Sequence, residues 1–197
     1  MDAIILARGK KSKRLNLNKA FIKVGSKKII EIILEKINPI FENVYIVSLK
    51  PEKFEVYQTR KIKILKDEIK CGPLGGIYIG LLNSNSRYNF VFAVDMPFIN
   101  VDFVKYVMKI KKNYDVLVPV YNGKIQVLHA IYSKKIIPVI QETLNEGEYE
   151  VKTILYRVKV KYIQETEIEK FGDPQILFFN LNTYKDYEFI QKYLKIS

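Results

Sequence analysis

Short apolar runs alternate with stretches whose apolar residues recur every three or four positions, and the alternation continues through most of the 197 residues. Residues 3–7, 43–49 and 88–94 read as buried strands, the second carrying Val44, Tyr45, Ile46 and Val47 and the third Phe90, Val91, Phe92 and Val94. Between the first two, Ile29, Ile30, Ile33 and Ile37 fall on one side of a helix that stops near Asn38-Pro39. Further on, the pattern predicts a helix over 101–112 with Val104, Val107 and Met108 inward, then a strand over 115–120. Residues 134–144 and 151–157 read as helical, 158–163 as a strand and 176–179 as a short apolar strand. Tyr187, Ile190 and Leu194 form an apolar stripe that docks a last helix. Strands alternating with helices predict a layered α/β domain with a largely parallel sheet, and one domain over 1–197.

Composition excludes several classes. With 48% hydrophobic and 27% charged residues, 9 Gly and 7 Pro, the chain is neither disordered, collagenous nor of low complexity. One Cys71 and one His129 support neither an internal disulfide nor a structural zinc site, which points to reducing surroundings. The first apolar run is far too short for a signal peptide or a membrane span, so a cytoplasmic protein without membrane attachment is expected. The 33 Lys+Arg against 21 Asp+Glu give a net charge of +12, which attracts nucleic acid, anionic lipid or a phosphorylated small molecule. The lysines are spread along the chain, a pattern that favours a solvated surface over a nucleic-acid groove.

Open α/β sheets bind ligands beyond the carboxyl ends of their strands, so polar residues at strand ends are the candidates. The first strand runs into a loop with five cationic side chains, Arg8, Lys10, Lys11, Lys13 and Arg14. Such a cluster suits phosphate, although the loop matches neither the Gly-Lys-Ser/Thr nor the Gly-x-Gly-x-x-Gly fingerprint. Lys19 returns toward the same edge, where an ammonium can hold a phosphate as a point charge. The segment Asp67-Glu-Ile-Lys-Cys-Gly-Pro-Leu-Gly-Gly-Ile77 holds three of the nine glycines, with a helix expected from Pro73. Gly72, Gly75 and Gly76 either let backbone approach a base or ribose, or make a tight, closely packed strand-to-helix turn. Asp95 follows an apolar strand, where a single carboxylate suffices for Mg²⁺ held mainly by substrate phosphates; capping the next helix is the competing role. His129, in an apolar strand-like stretch, reads as a satisfied core histidine, and Cys71 receives no role.

Taken together, Leu6-Ala7-x-Gly9, Ser12-x-Arg14, Lys19, Asp67 with Gly72-Pro73-Leu74-Gly75-Gly76-Ile77, Asp95-Met96-Pro97-Phe98, residues 126–132 and Asn180-Leu181-Asn182-Thr183 resemble the molybdenum cofactor guanylyltransferase family. The resemblance implies a three-layer, Rossmann-like nucleotidyltransferase fold with a mostly parallel mixed sheet. It implies a Mg²⁺-dependent enzyme that transfers GMP from GTP to the phosphate of molybdopterin, releasing pyrophosphate, with molybdenum cofactor biosynthesis or acceptor proteins as partners. By motif matching, Leu6, Ala7, Arg8, Gly9 and Lys19 bind the nucleotide phosphates, Asp67, Gly72 and Gly75 address guanosine, and Asp95 holds the metal. Lys19, Arg14 and Asp95 form the catalytic set, and Asn180 and Asn182 sit on the acceptor side. The chain departs from the family by carrying Arg8 where it has a third-position glycine, and Asn18 where it has an acid before the lysine. Alternatives are a transferase using CTP or another phosphorylated acceptor, a noncatalytic nucleotide-binding relative, and a noncatalytic basic module for nucleic acid.

Overall fold

The computed structural model describes residues 1–8, 18–111 and 113–196. In chain order the elements are β1 (Asp2–Leu6), a 3₁₀ turn (Lys19–Phe21), β2 (Lys23–Val24), β3 (Lys27–Lys28), α1 (Ile29–Ile37), β4 (Val44–Ser48), β5 (Ile62–Lys66), α2 (Gly72–Asn83) and β6 (Tyr88–Ala93). They continue with α3 (Val101–Ile110), β7 (Val116–Tyr121), β8 (Lys124–Ile125), β9 (His129–Ser133), α4 (Ile137–Asn145), α5 (Val151–Ile154), β10 (Val160–Ile163), α6 (Glu165–Ile168), α7 (Pro174–Leu177) and α8 (Tyr184–Ile196). The main sheet runs β10-β7-β9-β6-β1-β4-β5, with β8 paired to β7. Strands β5, β4, β1 and β6 are parallel, β9 is antiparallel to both β6 and β7, and β10 is parallel to β7. This is the mixed, mostly parallel sheet expected.

Alternation along β1 divides the interior. Ala3 and Ile5 face one layer with Ile29, Ile30, Ile33 and Ile37 of α1 and Phe103, Val104 and Val107 of α3. Ile4 and Leu6 face the other with Leu74, Ile77 and Leu81 of α2 and Ile140 of α4. All five β1 side chains are buried, because a central parallel strand is covered on both faces. Asp2 is the exception in chemistry. Its Oδ1 accepts from the Asn43 amide and side chain at 3.2 and 3.0 Å, and its Oδ2 from the Ser84 hydroxyl and the Asn85 and Ser86 amides at 3.0–3.1 Å. Burial works to raise its pKa, but these donors outweigh it and hold the carboxyl below the usual range. The buried carboxylate thereby joins the starts of β1 and β4 to the α2–β6 loop.

Several expectations need correcting. Residues 176–179 are not a strand: Asp173 caps a helical turn over Pro174–Leu177 by accepting from the Gln175 amide at 2.8 Å, so the start signal overrides the apolar run. The helix foreseen over 151–157 ends at Ile154, and the one over 134–144 begins as a 3₁₀ turn before Ile137. Strand β5 escapes the pattern because Lys63 and Lys66 interrupt its apolar residues, as suits an exposed sheet edge. Asp95 does not cap α3, which is capped by Asn100 accepting from Phe103 N at 2.9 Å. Tyr187, Ile190 and Leu194 of α8 do pack on the α1 side of the sheet.

Two glycines of α2 pack directly against β1. A Cβ at Gly76 would lie 3.0 Å from Leu6 Cδ2, and one at Gly80 would lie 2.6 Å from Ile4 Cγ2. Glycine thus seats α2 directly on β1. Gly80→Ala sets a helix-propensity gain of about 1 kcal/mol against an overpacking cost of about 2–3 kcal/mol, since three atoms of the fully enclosed Ile4 lie within 3.0 Å of the added Cβ. The variant is expected to lower the thermal midpoint by about 2–6 °C, and a midpoint at or above wild type in a calorimetric scan would contradict this packing.

Candidate active site

The registers Leu6↔Val47 and Leu6↔Ala93 end β4, β1 and β6 at one level, so the residues that follow share a rim. On it opens a cleft of about 320 Å³ lined by Leu6, Arg8, Lys19, Pro73, Ala93, Val94, Asp95 and Leu128. Leu128 belongs because its carbonyl accepts from Ala93 N at 3.0 Å, closing the β6 end against β9.

Lys19 reaches the rim because its turn is well anchored. Asn18 accepts from Ala20 N at 3.1 Å, and Ala20, Ile22 and Val24 are buried. The Lys19 ammonium donates to Asp95 Oδ2 and to Asn182 Oδ1, both at 2.8 Å. Asp95 stands in the turn after β6, and its carbonyl accepts from Leu181 N at 2.9 Å, which draws the segment before α8 to the same place. One cation therefore links groups far apart in sequence. The Lys19 and Asp95 side chains are 15% and 27% exposed, so the pair is partly desolvated but open to the cleft.

Across the cleft, Arg8 Nε donates to Asp67 Oδ2 at 2.5 Å. The other Asp67 oxygen accepts from Lys70 N at 3.0 Å, and the Asp67 N–H is bound by the Ser48 carbonyl at 2.7 Å. Lys70 and Gly72 adopt positive φ of 60° and 62°, which folds the chain sharply from β5 into α2. The Asp67 carboxylate has no exposed surface, so it meets the cleft only through Arg8, in contrast to the direct guanosine contact the resemblance implies.

Leu6, Arg8, Lys19 and Asp95 are thus brought together, with Asp67, Gly72 and Asn182 directly behind or beside them. Three predicted residues stand apart from the cleft wall. Ala7 is buried, its amide bonded to Val47 O at 2.9 Å. Gly75 faces Ile69, whose Cγ2 would be 3.2 Å from an added Cβ, so close packing accounts for it. Asn180 is exposed and donates to Phe178 O at 2.9 Å. Gly9 and Arg14 lie outside the described residues. Sequence reading did not single out Leu128 or Val94; their apolar character gave no chemical signal, although both lie in stretches that carry the resemblance.

The oxygens of Asp95 and Asn182, already gathered around a cation, are hard donors that fit Mg²⁺. Among the described residues no cluster of three or more His, Cys, Asp or Glu forms an all-protein metal cage, so substrate oxygens would complete the shell. His129 is distant in kind. It is 2% exposed among Phe90, Phe92, Phe103 and Phe178, with neither ring nitrogen partnered among the described residues, which corrects the expectation of a satisfied histidine. Desolvation lowers its pKa to about 3.

A mostly parallel sheet with a cationic, carboxylate-bearing cleft at its strand ends defines an open α/β protein whose ligand site lies beyond the carboxyl ends of its strands. The family model of the MobA-like NTP transferase domain matches residues 3–161. The chain belongs to this family. It is 34% identical over 199 residues to a probable molybdenum cofactor guanylyltransferase of Natranaerobius thermophilus, covering 98% of this chain and 96% of the relative. It is 31% identical to a molybdenum cofactor guanylyltransferase of Syntrophotalea carbinolica, covering 95% and 89%. The crystal structure of molybdopterin-guanine dinucleotide biosynthesis protein A from Archaeoglobus fulgidus superposes over both whole chains with a TM-score of 0.85 at 24% identity, a likeness of fold. Among the described residues no helix is long and apolar enough to cross a membrane.

The His129 environment generates a pH prediction. Its folded pKa of about 3 lies below the ordinary 6.5, so the unfolded chain takes up a proton first as pH falls through 6.5, and stability is lost from there toward pH 3. His129→Leu removes that loss. Chemical denaturation at pH 7 and pH 4.5 is expected to show the variant gaining about 1–3 kcal/mol relative to wild type between the two; an unchanged difference would contradict the assignment.

Proposed function

We propose that this protein transfers GMP from GTP to the terminal phosphate of molybdopterin, forming the guanine dinucleotide and pyrophosphate. The observation that carries the reading is the Lys19 ammonium shared by Asp95 and Asn182 on a cleft that Arg8 also lines. The names of its full-length relatives support the choice of nucleotide and acceptor.

In the reaction a molybdopterin phosphate oxygen bonds to the α-phosphorus of GTP, and the bond from that phosphorus to the pyrophosphate oxygen breaks. No covalent enzyme intermediate is needed, so the protein's work is positioning and charge stabilisation. Lys19 offers three donors on a compact charge, fixed from two sides before substrate arrives, and meets the phosphates as they exchange for its carboxylate partner. Asp95 would hold Mg²⁺, which when bound supplies charge stabilisation to the transferring and leaving oxygens. Asn182, which shares the same ammonium, is the residue assigned to the acceptor side, whereas Asn180, held by Phe178 O, stands apart from the cleft wall. Pro73 and Leu128 give the cleft apolar walls that lower the local dielectric. The reducing, cytoplasmic setting expected for cofactor synthesis suits the lone Cys71.

Incubation with Mg²⁺, molybdopterin and each nucleoside triphosphate tests the proposal, with pyrophosphate release and dinucleotide as readouts. GTP is expected to be the productive donor, and turnover with CTP but not GTP would overturn the assignment. Asp95→Ala is expected to lower kcat by about 10³-fold or more, and Lys19→Ala by about 10²–10³-fold, each with a near wild-type thermal midpoint. Full activity in Asp95→Ala would contradict the role given to the carboxylate.

A further inference from the structure

Arg8 stands where the family has glycine, and the structure shows where its side chain goes. Nε is bonded to the buried carboxylate of Asp67, which leaves the guanidinium end directed along the start of α2. Arg8 Nη1 is 3.9 Å from the position of a Cβ on Gly72, and Arg8 Cδ is 3.8 Å from that of one on Gly76. Among the described residues Asp67 is the acceptor to which Arg8 donates, and Arg8 is also part of the cleft wall. The arginine is therefore neither turned outward to solvent nor loosely filling the cleft. It is only 11% exposed, tethered at one nitrogen and presenting its remaining donors at the mouth of the glycine turn.

A tethered guanidinium is a planar fork of donors with no acceptor. Its match is a pair of acceptors side by side in one plane. Guanine offers that pair in N7 and O6, whereas adenine places an amino donor beside N7 and would meet the fork donor to donor. The Asp67 carboxylate is buried, with Oδ1 bonded to the Lys70 amide and Oδ2 to Arg8, so it does not accept guanine's N–H groups.

We infer that Arg8 is a specificity-determining residue of this chain, reading the N7/O6 edge of guanine, with Asp67 as the positioning residue that aims it. The inference rests on the proposed use of GTP and deepens it. Arginine at this position thus replaces recognition by close backbone approach with recognition by a side-chain fork.

The test compares binding of GTP, 7-deaza-GTP, which lacks the N7 acceptor, and ATP by calorimetry in the presence of Mg²⁺, for wild type and Arg8→Lys. Wild type is expected to bind 7-deaza-GTP and ATP at least about 10-fold more weakly than GTP. Arg8→Lys keeps the charge and loses the fork, and is expected to bring the GTP to 7-deaza-GTP ratio within about 2-fold of unity. Asp67→Asn, which keeps the shape but removes the charge and leaves one acceptor oxygen for the two donors Arg8 Nε and Lys70 N, loosens the tether and is expected to reduce the same ratio, and it decides the matter if Arg8→Lys does not fold. Equal wild-type affinity for GTP and 7-deaza-GTP, or a ratio unchanged in the folded variants, overturns the role of Arg8 and leaves guanylyl transfer standing. Failure of wild type to bind any triphosphate overturns the proposed function itself.

Discussion

The site depends on one constraint, the common parallel register of β4, β1 and β6. Backbone pairing sets Leu6 beside both Val47 and Ala93, so whatever follows each strand emerges at the same height. Register is held from the opposite end by the Asp2 carboxylate and along the middle by glycine contacts that let α2 lie on Ile4 and Leu6. A one-residue slip would send Asp2 out of its hydrogen-bonded niche and reverse both core faces, so the arrangement is strongly specified. Chemistry at the rim then follows from which residue stands just past each strand.

Two ion pairs divide that rim. Lys19 with Asp95 is partly open and shared with an amide, the condition in which a cation can exchange a protein oxygen for a phosphate oxygen. Arg8 with Asp67 is closed, with the carboxylate fully enclosed and hydrogen-bonded on both oxygens. Breaking a buried pair by removing one partner leaves an uncompensated charge, whereas an exposed pair contributes little to stability. The open pair is thus suited to binding and the closed one to holding geometry, although both join a basic to an acidic side chain. The +12 charge adds a general attraction for anions without choosing between the two places.

Much of this was legible in the sequence. Apolar runs gave β1, β4, β6 and β7, and three- and four-residue spacing gave α1 and α3, because both elements bury a full face. Lysines hide edge strand β5, and the short apolar run at 176–179 masks the helix start that Asp173-Pro174 sets in the fold. For the site, strand-end position was enough to nominate Lys19 and Asp95. It did not separate the glycines that pack, Gly75, Gly76 and Gly80, from Gly72, whose positive φ makes the turn. Nor could it reveal that Asp67 is hidden behind Arg8, since a contact between residues 59 positions apart leaves no local pattern.

The most direct measurement is a crystal structure of the protein with GTP and Mg²⁺. The triphosphate is expected on the rim beyond β1 and β6, its α-phosphate within reach of Lys19 and the metal against Asp95. Nucleotide bound at any other face, with this rim empty, would contradict it.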